Sequence, residues 1–154
     1  MSLYSHPGKL LIDHLREVAN SCKCLIAERT LFVESPLKKE ALENIAYLAG
    51  AFHDLGKGTS FFQHYLLSPD HEVIGPKNHA LISALFVKEI VKEYLDKTKL
   101  SDFEQNLFAH LAFTAVKRHH GKLDNFEDEL YIEEKSKELQ KQIKVFDEEE
   151  RWCR

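Results

Sequence analysis

"ALENIAYLAGAFHDLGKGTSFF", residues 41–62, decides how the chain is read. Ala41, Ile45, Leu48 and Phe52 recur at steps of four, three and four, the spacing of one face of an amphipathic helix. The pattern stops at His53-Asp54, and Gly56 and Gly58 break it at once. Neighbouring side chains on a regular helix diverge by about 100°, so a histidine and an aspartate in succession do not normally converge. A helix that unwinds at Leu55-Gly56-Lys57-Gly58 can turn both toward one site. The plainer alternative is that Asp54 caps the following turn while His53 is a satisfied core histidine. The stretch alone does not choose.

Helical spacing continues on both sides. Leu11, Leu15, Val18, Cys22 and Leu25 mark a helix from Leu10 to about Ala27, and Ser35-Pro36 opens the helix that carries the quoted stretch. A short helix is expected from Ser60 to Leu67, followed by the loop "SPDHEVIGPKN". A fourth begins near Asn78, with Leu81 and Leu85 setting its buried side and Val91 and Leu95 further on. A fifth runs from about Ser101 to His119 and stops at Gly121, a C-terminal cap. The charged residues 124–154 fit a solvated helix. No strand pattern alternates convincingly, and no internal repeat is visible. The expectation is an all-α bundle forming one domain over residues 1–154.

Composition narrows the class. With 44% hydrophobic and 30% charged residues, the chain has the make-up of an ordinary globular protein. No apolar run approaches the roughly 18–20 residues that a membrane span needs, and the N-terminus does not read as a signal peptide. Cys22, Cys24 and Cys153 form no even disulfide framework, and Cys22 and Cys24 read as packing residues, so a reducing, cytoplasmic setting is expected. The net charge of −4 is concentrated at one end, because residues 124–154 hold 11 acidic and 6 basic side chains. The remainder is near neutral, and bound cations would make a site there positive, so charge does not exclude a nucleic acid partner.

Nine histidines are the more informative count. Histidine is the commonest metal ligand and the usual acid or base near neutral pH. His14 lies beside the apolar stripe of the first helix, His79 in the first turn of the fourth, and His119-His120 at the end of the fifth. Bundles build metal centres from such side chains on facing helices. The pair could equally stabilise its helix end through the macrodipole. His6 in "YSHPG" is a minor candidate, His64 reads as structural or at a rim, His71 as solvated and His110 as packed.

The order His14, His53-Asp54 with Lys57, His79, then His119-His120 resembles the HD superfamily of metal-dependent phosphohydrolases. More narrowly, it is similar to the HD nuclease domain of the type I CRISPR effector nuclease-helicase, including versions encoded as a separate polypeptide. "LLIDHLREVA", "AFHDLGKGTSFFQHYL", "KNHALISALF" and "VKRHHG" carry the likeness over roughly residues 5 to 121. "HDLGK" is widely shared among HD enzymes; its combination with "FFQHYL", "NHALISA" and "HHG" is more specific. The resemblance implies an HD-domain helical bundle in which His14, His53 and Asp54 serve one metal. Asp54 would bridge to a second, held by His79, His119 and His120, and Lys57 would face the substrate phosphate. The resembled family closes its first site with a later aspartate. Asp124, Asp128 and Asp147 are the candidates here, none in a recognisable motif, and the chain reads as short of the final helices.

Imidazole nitrogen with carboxylate oxygen suits Mn, Fe, Co, Ni or Zn, with Mg favouring purely oxygen ligands. Two such ions could clamp a phosphodiester, activating water for in-line attack and offsetting charge on the leaving oxygen. Lys57 would add a point charge on a non-bridging oxygen. Lys117 and Arg118 read first as solvated helix charges and second as contacts for a strand's backbone. The leading expectation is therefore a metal-dependent nuclease cutting single-stranded DNA in CRISPR interference, beside a helicase and a guide-RNA surveillance complex. The competing readings are a phosphohydrolase acting on small or cyclic nucleotides, and a metal-free helical module that docks a partner.

Overall fold

A computed structural model describes residues 2–30, 37–68, 75–76, 78–122 and 136–149. Among these residues a short hairpin comes first, β1 (Tyr4–His6) and β2 (Lys9–Leu10), followed by six helices: α1 (Leu11–Ala27), α2 (Lys39–Phe52), α3 (Ser60–Leu67), α4 (Ala80–Leu95), α5 (Asp102–Lys117) and α6 (Ser136–Glu149). A 3-10 turn over Leu55–Gly58 links α2 to α3. The described residues are mostly helical, as an all-α HD fold requires.

Two antiparallel pairs organise the bundle. α1 packs along α2, α4 packs along α5, and α2 touches both members of the second pair. The core lies where these pairs meet, around Ile45, Val87, Val91, Leu95, Phe113 and Val116. The α1–α2 crossing is close because Gly50 meets Ala19: a Cβ on Gly50 would stand 2.8 Å from the Ala19 Cα. Small residues let helix axes approach nearer than the usual 8–10 Å, and this approach carries His14 toward His53. α5 starts from a capping box in which Ser101 accepts from the Glu104 amide and Glu104 accepts from the Ser101 amide.

Several boundaries differ from the sequence expectations. The chain has a hairpin where no strand was expected: Tyr4 pairs with Leu10 and His6 with Lys9, turning through Pro7-Gly8. Such short strands leave too few residues for an alternating pattern to register. α4 begins at Ala80, so His79 is its N-cap rather than a member of its first turn. Its buried face is Ile82, Val87, Val91 and Leu95, while Leu81 and Leu85 are partly buried against the core. Leu25 is exposed, and Ala19 takes its place on the buried side of α1. α5 ends at Lys117 with Arg118 as its cap, so Gly121 is not the capping residue. Ser35-Pro36, His71, Cys153, Asp124 and Asp128 lie outside the described residues, as does the Asp147 side chain. Among the described residues no helix is long and apolar enough to cross a membrane.

Candidate metal centre

α2 ends at Phe52, and the two residues after it do what a continuous helix could not. His53 keeps helical angles at φ −56 and ψ −33, whereas Asp54 leaves them at φ −113 and ψ 15. That change brings the Asp54 carboxylate to the His53 ring edge, leaving His53 Nε2 3.3 Å from Oδ2. Asp54 is 1% exposed, which makes it the most deeply buried ionisable group at the site.

Four histidines and one lysine surround this carboxylate. Its Oδ2 faces His14 Nε2 at 3.1 Å, His53 Nε2 and Lys57 Nζ at 2.8 Å. Its Oδ1 faces His79 Nε2 at 3.0 Å and His119 Nε2 at 3.2 Å. His120 joins through His79, with their Nε2 atoms 3.1 Å apart. The potential ligand atoms of Asp54, His79, His119 and His120 all lie within 4.8 Å of one another, and so do those of His14, His53 and Asp54. All six residues singled out as ligands in the sequence are thus brought to one place, with Asp54 common to both groups.

The second contacts of the rings fix which nitrogen faces inward. His53 Nδ1 donates to the Gly50 carbonyl at 2.8 Å, and His119 Nδ1 donates to the Val116 carbonyl at 2.6 Å. With Nδ1 held in this way, Nε2 is the nitrogen turned to the Asp54 carboxylate, and losing its proton would free the lone pair that a metal needs. His79 differs: its buried Nδ1 has no hydrogen-bond partner among the described residues, and its ring stands edge-on to Phe62 at 5.2 Å.

Protonation follows from the same contacts. Burial pushes the Asp54 carboxyl up, but hydrogen bonds from His119, His53, His79 and Lys57 outweigh it and hold the pKa far below the usual carboxylate range. Desolvation lowers His14, with the attraction of Asp54 opposing and the neighbouring His53 assisting. His120 is likewise lowered by desolvation and then by His119 and His79. Desolvation also acts to lower His119, yet its bonds to Asp54 and Val116 prevail and raise it. An ionised carboxylate among imidazoles is a donor set suited to a borderline divalent metal.

Backbone contacts hold these elements in register. Ser83 Oγ accepts from the Gly56 amide at 2.9 Å and donates to the His79 carbonyl at 2.8 Å, tying the 3-10 turn to the start of α4. Gly56 leaves no room for anything larger: a Cβ there would stand 2.6 Å from the His79 oxygen and 2.6 Å from Ile82 Cγ2. Gln63 on α3 binds both Tyr4 and the Lys57 carbonyl. Sequence reasoning passed over Ser83 and Gln63, although both sit inside stretches it had marked, "NHALISALF" and "FFQHYL".

The other described histidines, His6, His64 and His110, belong to neither ligand group. His6 is exposed, bonds Ser5 Oγ through Nδ1 at 3.1 Å and lies edge-on to His14 at 5.2 Å. His64 points outward on α3. His110 stacks on Phe113, as a packed residue would. Lys57 is buried, not solvated, and its ammonium lies 5.5 Å from the centre of the Phe62 ring. Lys117 lies over the Phe113 ring at 5.7 Å.

No curated protein and no solved structure matches the chain. Residues 5–154 match the model of a family described as Cas3, HD domain.

Proposed function

The chain belongs to the Cas3 HD-domain family of CRISPR-associated, metal-dependent hydrolases, and on that premise we propose that it cuts single-stranded DNA during CRISPR interference. One observation carries the proposal: the two oxygens of a single buried carboxylate each face their own set of imidazoles. That division suits two divalent ions sharing Asp54, with His14 and His53 on one and His79, His119 and His120 on the other. Bound there, the ions supply Lewis acidity that activates water and offsets charge on a leaving oxygen.

The chain's own groups prepare this chemistry. Asp54 stays ionised because its neighbours hold its pKa down, so protons do not compete for it near neutral pH. Carbonyl partners hold the Nδ1 protons of His53 and His119, so Nε2 is the nitrogen that each ring would offer to a metal. Lys57 fixes Asp54 Oδ2 with one N–H, and we assign its remaining donors to a non-bridging phosphate oxygen of the bound strand. With ions bound, Asp54 and Lys57 cancel and the imidazoles add no charge, so the site is strongly positive and favours an anionic phosphodiester. A helicase and a guide-RNA surveillance complex are the proposed partners that would deliver the strand.

The test is direct. Protein loaded with manganese, cobalt or nickel is incubated with labelled single-stranded DNA and, separately, with a panel of nucleotides and cyclic nucleotides. Cleavage of the strand is expected. Turnover of the small substrates alone would reassign the site to a nucleotide phosphohydrolase, and turnover of neither would reject hydrolysis.

A further inference from the structure

We infer that Gln63 is a positioning residue for one half of the site, setting His14 against Asp54 while leaving the His79 half untouched. The inference rests on the two-metal reading given above. Gln63 is polar in the apolar run "FFQHYL", yet only 8% exposed. A buried amide that merely filled space would be replaceable by a hydrocarbon of the same size, so its bonds must explain it.

Those bonds reach two separate parts of the chain. Oε1 accepts from the Tyr4 amide at 3.0 Å, and Nε2 donates to the Tyr4 carbonyl at 2.8 Å. Together they offer β1 what a paired residue of a neighbouring strand would offer. The second Nε2 proton goes to the Lys57 carbonyl at 2.7 Å. One side-chain amide therefore fastens the N-terminal strand to the turn that carries Asp54 and Lys57.

Each fastened segment delivers one member of the same half-site. The chain just before β1 leads into α1, because the Leu11 amide donates to the Leu3 carbonyl at 2.8 Å. α1 has no side-chain N-cap, so this strand contact fixes its first turn, and His14 follows immediately. On the other side, the Lys57 amide donates to the Asp54 carbonyl at 2.9 Å, and its ammonium holds Asp54 Oδ2. The two segments meet where His14 Nε2 stands 3.1 Å from that oxygen. The opposite half is held by other means, through Ser83 between Gly56 and His79 and through Val116 on His119.

The test compares wild-type protein with Gln63→Met, which keeps the volume and removes all three bonds. It also uses Gln63→Glu, which keeps the shape but sets a carboxylate against two carbonyls. Each is titrated with cobalt(II) alone, followed by calorimetry and by the paramagnetically shifted imidazole proton resonances, assigned with His14→Ala and His79→Ala. The wild type is expected to take two ions. Both Gln63 variants should keep the ion at His79, His119 and His120, and bind the one at His14 and His53 about 10–100-fold more weakly. Equal weakening of both ions, or of neither, overturns the assignment. So does loss of the fold in both variants, since Gln63 would then hold the whole molecule rather than one half-site. Wild-type protein whose His14 and His53 resonances never shift overturns the two-metal reading itself, and this assignment with it.

Discussion

The half of the site facing Asp54 Oδ2 and the half facing Oδ1 are built by different helix pairs. His14 and His53 come from α1 and the end of α2, while His79, His119 and His120 come from the start of α4 and the end of α5. Both halves use one device: a histidine just past a helix, its Nδ1 proton given to the carbonyl three residues back, Gly50 in one and Val116 in the other. They differ in number of donors, the first drawing on two histidines and the second on three. Among the described residues Asp54 is the ligand candidate common to both groups, and the His53 and His119 rings also meet across them at 5.2 Å.

The sharpest way to break this symmetry is to remove the coupling group. Asp54→Asn should abolish metal uptake in both halves, a greater loss than the roughly 10–100-fold that marks a supporting partner. It also leaves Lys57 buried without its carboxylate, so the apo protein should lose about 3 kcal/mol, read from denaturant unfolding. Single ligand changes should separate the halves instead. His14→Ala should leave one ion on the Oδ1 side and His79→Ala one on the Oδ2 side, counted by elemental analysis after dialysis. Loss of both ions from either variant would refute the independence of the halves.

How much of this was legible in the sequence follows the same division. The helical stripes of α1 and α2 and the His53-Asp54 break were readable because periodicity and glycine punctuation are local signals. The convergence of His14, His79 and His119 was reachable only through the likeness of "HDLGK", "NHALISA" and "HHG" to a known family, since one chain's spacing does not say which helices face each other. The hairpin was missed because three- and two-residue strands carry no alternation, and Pro7-Gly8 was its only local mark. Gln63 was missed for another reason. A polar residue in an apolar run announces a buried bond, but not its partners, and Tyr4 lies 59 residues away.

Two glycines offer a milder disturbance, one for each coupling. Gly56→Ala forces a methyl group against the His79 carbonyl and Ile82, pushing the Asp54 turn from α4. Gly50→Ala forces one against the Ala19 and Val18 backbone, separating α1 from α2. Each should cost about 1–3 kcal/mol, or several degrees in melting temperature. The residual metal binding should split by half: Gly56→Ala weakens uptake on the His79 side, and Gly50→Ala on the His14 side.

Protons should discriminate between the halves with the smallest effect. Metal binding needs neutral imidazole, so a histidine with a raised pKa opposes it over a wider pH range. His14 and His120 are lowered and already neutral at pH 7, whereas His119 is raised by Asp54 and Val116 and keeps its proton longer. The Oδ1 half should therefore lose affinity first as pH falls from 8 to 6, by up to about tenfold per pH unit once His119 is protonated. Calorimetry in two buffers of different ionisation heat counts the protons released. The expected result near neutral pH is net release on filling the His119 half and less on filling the His14 half. The reverse order would mean that Asp54 holds its proton-sharing partner on the other side, and that the inequality of the two helix pairs runs opposite to their geometry.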